Sequence, residues 1–257
     1  EAYIVPTVVG DHVEYSIGHD PKRAPTKQND GTISGRRGAL CVACGSVISM
    51  EEIRAQGKKG KIGSAMTAVV CEGGRKREYK APTDEDRREV QFDRVNQPNM
   101  GALADNPRYM SPPLYGMDTF DKLFTARQLT ALTTFSDLVG EARELVLRDA
   151  LAGGMSEGER LEAGGVGAAA YADAVATYLA CSLDQIISSN SSLCSWNASP
   201  TKETVRDLFA RQAIPMSWDH AEANPFAGST GDFRKSVTRV SEVLMRLHEG
   251  ASVGVIT

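Results

Sequence analysis

The stretch TARQLTALTTFSDLVGEARELV, Thr125–Val146, decides how the chain divides. Thr125-Ala126-Arg127-Gln128 has capping-box spacing: a hydroxyl to receive an orphan helical N–H and, three residues on, an amide that reaches back. Beyond it Leu132, Phe135, Val139, Ala142 and Val146 recur three and four residues apart, which places them on one face of a helix. A second long helix is expected from about Ala168, with Ala172, Val175, Leu179, Leu183 and Ile186 on one face. Ser199-Pro200, an N-cap followed by proline at the first helical position, predicts a helix to about Gln212. A fourth is expected from about Gly231 to His248, and Ser252–Ile256 returns to strand character. Residues 125–257 therefore read as a helical domain ending in a short strand.

Upstream the period changes. Ala2–Val9 and His12–Ile17 are β-branched and aromatic runs on either side of Gly10-Asp11, a hairpin signal. His19–Gly38 reads as loop, Ala39–Cys44 as strand and knuckle. Ser49-Met50-Glu51-Glu52 opens a short helix that glycine should stop at Gly57. Gly57–Gly63 is a basic glycine loop. Ala65–Cys71 and Lys76–Ala81, joined by Glu72-Gly73-Gly74, read as a second hairpin. Residues 1–82 thus form a small β-rich unit. Residues 83–124 form a connector: Thr83 caps a charged helix to about Phe92, and Arg94–Met117, with Pro98, Pro107, Pro112 and Pro113, is a linker or a long ordered loop draped over a surface. The expected fold class is α+β.

Composition fits this division. The chain has 257 residues, 41% hydrophobic and 24% charged, which excludes fibrous and wholly disordered classes. No stretch approaches the ~18 uninterrupted apolar residues of a membrane span. The start, Glu1-Ala2-Tyr3-Ile4-Val5-Pro6, has neither a basic n-region nor an apolar h-region, so no signal peptide is expected, and the chain reads as a piece of a longer one. The net charge of -4 hides an asymmetry: residues 1–80 hold 13 Lys and Arg against 9 Asp and Glu, the rest 16 against 24. A basic front suggests an anionic partner. Five cysteines without secretory features point to a reducing compartment, and a cytoplasmic location is expected.

The most specific chemical feature is Cys41-Val42-Ala43-Cys44-Gly45. C-x-x-C-G is the knuckle of zinc ribbons, in which two thiolates converge on a metal and glycine permits the turn. Only one such pair is present. Cys71 is a candidate third ligand, with His12 or His19 a fourth. Plain thiols and a redox dithiol are the alternatives. Cys181 and Cys194, on or after an apolar helix, read as buried structural thiols. Arg36, Arg37, Arg54, Lys58, Lys59, Lys61, Arg75, Lys76 and Arg77 flank the knuckle as a basic cluster. On the loops of a ribbon they would meet phosphates; otherwise they are a solubilising surface.

Gly165-Val166-Gly167-Ala168-Ala169-Ala170 fits G-x-G-x-x-A, but the segment before it does not read as the strand a dinucleotide site needs. A flexible inter-helix connection is expected. The four histidines are scattered, and no nucleophile–base pair stands out. Phe209–Phe226 mixes Arg211, Gln212, Trp218, Asp219, Asn224 and Phe226 between helices. These could line a groove that stacks and hydrogen-bonds a base or cofactor; the alternative is a connector with Trp218 and Phe226 in the core.

Six segments carry a resemblance: Ala2–Asp11 (AYIVPTVVGD), Gly38–Ser46 (GALCVACGS), Tyr115–Gly140, Tyr171–Cys181 (YADAVATYLAC), Ser191–Trp196 (SSLCSW) and Arg211–Phe226. Together they resemble the middle of bacterial adenine-specific DNA methylases that contain a zinc ribbon. The resemblance implies a parent enzyme that methylates adenine N6 from S-adenosylmethionine, its cofactor motif upstream of this region and its D-P-P-Y-type motif downstream. Asn224-Pro225-Phe226 is similar to a shortened form of that motif without the second proline, and no catalytic role is assigned to it. The resemblance makes Cys41 and Cys44 zinc ligands of the parent, with the first cysteine pair before Glu1. It implies DNA and the rest of the methylase as partners, with this segment inserted in or packed on an α/β methyltransferase core. The rival from another class is a scaffold domain with no nucleic-acid contact.

Overall fold

The computed structural model describes residues 2–25, 33–34, 38–73, 76–91, 100–199, 201–210 and 212–250. It is mixed helix and small antiparallel sheets, an α+β chain. The chain divides into two compact units. One takes in Glu1–Asp93 with Met100–Lys122, the other the chain from Leu123 on.

In the first unit β1 (Tyr3–Val9) and β2 (His12–Gly18) pair antiparallel with Val9 opposite His12, as the Gly10-Asp11 turn requires. Gly10 takes φ 62° there. β3 (Ile33–Ser34), β4 (Gly38–Leu40) and β5 (Val47–Ile48) form a second small sheet that brackets the cysteine knuckle. α1 (Met50–Lys58) follows, and Ser49 caps it by accepting the Glu52 N–H at 3.1 Å. Only half of the expected box forms, because the Glu52 carboxylate receives the Gln56 amide instead. β6 (Val69–Glu72) and β7 (Arg77–Lys80) make the expected hairpin. α2 (Asp84–Glu89) has the complete reciprocal box between Thr83 and Asp86.

Gly57 does not end α1. It lies one residue inside the helix because the turn Pro112–Tyr115 packs there: a Cβ on Gly57 would sit 2.5 Å from the Tyr115 carbonyl oxygen. The glycine is a contact surface and not a stop signal. Met100–Met117 is accordingly an ordered loop. Leu103 is buried and donates its N–H to the Asp118 carbonyl at 2.8 Å, and Phe120 donates to Gly101.

The second unit is built on α3 (Ala126–Ala152), α4 (Ala168–Ser189) and α5 (Phe233–Gly250). The Thr125–Gln128 box forms in full, with Gln128 Oε1 accepting the Thr125 N–H at 2.8 Å. Leu129, Leu132 and Phe135 of α3 are buried with Ala172, Leu183 and Ile186 of α4, while Val139, Ala142, Val146, Val175 and Leu179 are half-buried. Phe135 stacks on Phe233 of α5, ring centroids 4.6 Å apart.

The helix expected from Ser199 to Gln212 is replaced by a hairpin, β8 (Ser195–Asn197) with β9 (Thr204–Arg206). The start signal operates for a single turn: the Ser199 carbonyl accepts from Lys202 and Glu203. Glu203 then takes φ 39°, left-handed geometry that no right-handed helix continues through. Trp196 pairs with buried Val205, and this packing overrides the local signal. Residues 252–256, read as a strand, lie outside the described residues. Among the described residues no helix is long and apolar enough to cross a membrane.

Candidate nucleic-acid interface and knuckle

The knuckle is a tight loop between β4 and β5. Gly45 donates its N–H to the Cys41 carbonyl at 2.8 Å, and Cys41 donates to Ser46 at 2.9 Å. Cys44 is exposed, with its sulfur 2.9 Å from the Ser46 hydroxyl. That hydroxyl, the Ser46 N–H and then Cys41 hold the Cys44 thiol below the ordinary thiol range. Cys71 lies on the separate β6–β7 hairpin. Among the described residues no third His, Cys, Asp or Glu joins the pair to make a metal cluster. Cys41 and Cys44 share one turn, and among the described residues neither Cys71, His12 nor His19 joins them in a group of three or more possible metal ligands.

Of the nine cations expected to form one basic patch, Arg36, Arg37 and Arg75 lie outside the described residues. Arg54 and Lys58 are one helical turn apart on α1, so they share a face, and both line a shallow surface depression with Glu51 and Ala55. Lys59 and Lys61 follow on the turn that closes the helix, where Gly60 takes φ 67° and Lys61 donates its N–H to the Gln56 carbonyl. The Arg54 guanidinium carbon lies 5.8 Å from the Tyr115 ring centroid. None of Arg54, Lys58, Lys59 and Lys61 forms an ion pair with a described residue, and all four are exposed. Arg77 differs: it is largely covered and bonds Glu72 across the hairpin at 2.9 Å. Lys76 is exposed in the β6–β7 turn. The structure thus assembles the α1 cations and assigns Arg77 to its own sheet.

The candidate groove after β9 is not assembled as expected. Arg211 lies outside the described residues. Asn224 turns its side-chain oxygen onto the Phe226 N–H at 2.9 Å, a local turn bond that occupies the acceptor a ligand would need. Phe226 is 65% exposed, its ring tilted against that of Phe135 with centroids 5.7 Å apart, and Trp218 is 38% exposed. Neither is a core residue, which corrects the connector alternative too. Gln212 and Asp219 are exposed. His220 bridges to Ser195, and burial lowers its pKa, which keeps the imidazole neutral at pH 7.

Three further readings are settled locally. The segment that opens α4 is an inter-helix connection, and it is closed by backbone hydrogen bonds: Ala168 and Ala169 donate their N–H groups to the carbonyls of Ser156 and Glu157 at 2.8 and 2.9 Å. Those are the amides a dinucleotide phosphate would use, so the G-x-G-x-x-A segment has no free cradle. Gly154-Met155-Ser156-Glu157-Gly158 in the same connection has G-x-S-x-G spacing. It follows a helix, not a strand, so it is no nucleophile elbow. Cys181 is exposed, contrary to expectation, while Cys194 is buried and donates to the Ser188 carbonyl at 3.3 Å. Burial pushes its thiol pKa up.

The SSLCSW segment has a structural role. Ser191 and Ser192 both donate their hydroxyls to the Leu123 carbonyl, at 2.7 and 2.8 Å, and tie the end of α4 to the entry of α3. Comparison with protein-family models, with curated proteins and with solved structures finds no match in any of the three.

Proposed function

We propose that this chain is a segment of a cytoplasmic, S-adenosylmethionine-dependent DNA adenine methyltransferase and that it contributes DNA binding, not methyl transfer. The observation that carries the DNA-binding part is the group Arg54, Lys58, Lys59 and Lys61: four exposed cations on one helix end, without ion-pair partners among the described residues. Cations without internal partners are available for phosphates, and phosphate contacts position a protein on a duplex. An enzyme that must extrude its target base needs such a holder. The adenine-methylase part rests on the six-segment resemblance alone. In this reading Cys41 and Cys44 are half of a zinc ribbon whose other ligands lie outside the described residues, and the helical unit packs on the catalytic core of the parent.

The test is fluorescence anisotropy of the chain with a labelled duplex at about 50 and 200 mM salt, where several phosphate contacts should cost orders of magnitude in affinity. The triple variant Lys58→Ala, Lys59→Ala, Lys61→Ala should bind more weakly on every sequence and reduce the salt slope by about 3. An unchanged slope would remove the idea. Labelled cofactor and DNA should give no product with this chain alone.

A specific observation favours the scaffold reading as the second choice. Leu138 and Leu145 on α3, Tyr171 and Tyr178 on α4, and Val243 and Leu247 on α5 are each more than two-fifths exposed. The pairs on α3 and α4 recur seven residues apart, as on a helix face that meets a partner. That reading expects a higher mass in sedimentation and no salt-dependent DNA affinity.

A further inference from the structure

The helical unit contains a polar cavity of about 360 Å³ where the end of α4, the residue after β9 and the start of α5 meet. Its walls include Ser188, Ser189, Asp207, Thr230, Ser236 and Arg239. None of these residues belongs to the basic helix end or the knuckle. Two charged side chains of its lining, Asp207 and Arg239, have groups left for a ligand. Both share a wall with Ser236, which is 4% exposed. Asp207 receives the Ser189 hydroxyl on Oδ1 at 2.5 Å, and its Oδ2 has no bond to a described residue. Arg239, three residues after Ser236 and so on the same side of α5, makes no ion pair with a described residue.

The lining selects the ligand. It has no aromatic ring to stack a base and little apolar surface for a hydrophobic molecule. It offers one guanidinium, one carboxylate and several hydroxyls. A bare phosphate would satisfy Arg239 but offer Asp207 only its own P–OH, next to a charge that the carboxylate repels. The first amides of α5 do not assist an anion either, because Phe233 donates its N–H to the Pro225 carbonyl and Lys235 donates its own to the Asp232 side chain. We infer that the cavity binds a small hydroxyl-bearing anion of the sugar-phosphate class, its anionic group on Arg239 and its hydroxyls on Asp207 and Ser236. The inference is independent of the DNA-binding reading.

Isothermal titration of the full chain with ribose 5-phosphate tests it, with free ribose and inorganic phosphate as comparisons. Saturable binding is expected, with each comparison compound at least about tenfold weaker, since each loses one charge-assisted set of bonds. Arg239→Ala should weaken ribose 5-phosphate by about tenfold or more, and Asp207→Asn, which keeps an acceptor for Ser189, by a smaller factor. Both side chains are exposed, so the variants are expected to fold, and a matching circular dichroism melt verifies this. Absence of saturable binding, equal affinity for inorganic phosphate, or undiminished binding in Arg239→Ala would each overturn the proposal.

Discussion

Asp173 on α4 shows what one residue contributes to the helical unit. Its side chain is 10% exposed, and Arg160 and Arg143 both donate to it, with the Leu161 N–H as a further donor. Arg160 first and Arg143 second hold its carboxyl well below the usual carboxylate range. A depressed folded pKa gives stability that is fully present above the unfolded value of about 3.9 and lost as pH falls toward the folded one. Asp173→Asn is therefore expected to lower the melting temperature by roughly 5 °C at pH 7. The gap between variant and parent should shrink as the pH is taken below 4, and a melting series from pH 7 to pH 2 checks both statements. A variant that melts with the parent at every pH would show that the clamp is idle. No sequence rule marks Asp173, because its partners lie 30 and 13 residues earlier in the chain.

At the scale of elements, α3 is held at its buried end by the Phe135–Phe233 stack, with Phe226 against the same ring. Phe135→Ala removes a buried aromatic from both contacts and is expected to cost about 3–5 kcal/mol in denaturant unfolding. The connection from α3 to α4 depends on backbone geometry instead. Gly158 takes φ 67°, and a Cβ there would lie 1.8 Å from the Val166 carbonyl oxygen. Gly158→Ala is thus expected to destabilise the unit, whereas the same change at Gly140, which has open space around it, should stabilise α3 by up to about 1 kcal/mol. Melting the two variants side by side separates a strained position from a free one. The existence of α3 and α4 was legible from period and caps. The β8–β9 hairpin was not, since the six residues between its strands contain a genuine helix-start signal, Ser199-Pro200, that Trp196 and Val205 override.

For the whole molecule, the described residues bring together two thiols and no third metal-binding group. Two thiolates alone hold zinc weakly, whereas a complete ribbon takes much of its folding energy from the metal. Dialysis against a chelator is therefore expected to leave the melting temperature of this chain unchanged and zinc well below one per chain by elemental analysis. Retention of one zinc, or a fall in melting temperature after chelation, would contradict that and show a complete ligand set. The charge asymmetry belongs to this scale as well. An acidic molecule with a net charge of -4 still presents four exposed cations on one helix end, so its affinity for an anionic polymer should depend on that patch and not on the net charge.

The fold class, the first and second hairpins, the caps at Ser49, Thr83 and Thr125, and the turn at Cys41–Cys44 are legible in the residue order alone. These rest on interactions between residues at most a few positions apart, where side-chain period and turn chemistry act directly. It took packing to make Gly57 a contact site, to give Arg77 to Glu72, to leave Cys181 exposed and to set Phe226 against Phe135. Packing also brings Ser236, Asp207 and Arg239 to one cavity. Each of these depends on which segments pack together, and packing is set by the burial of the whole chain and not by any local spacing.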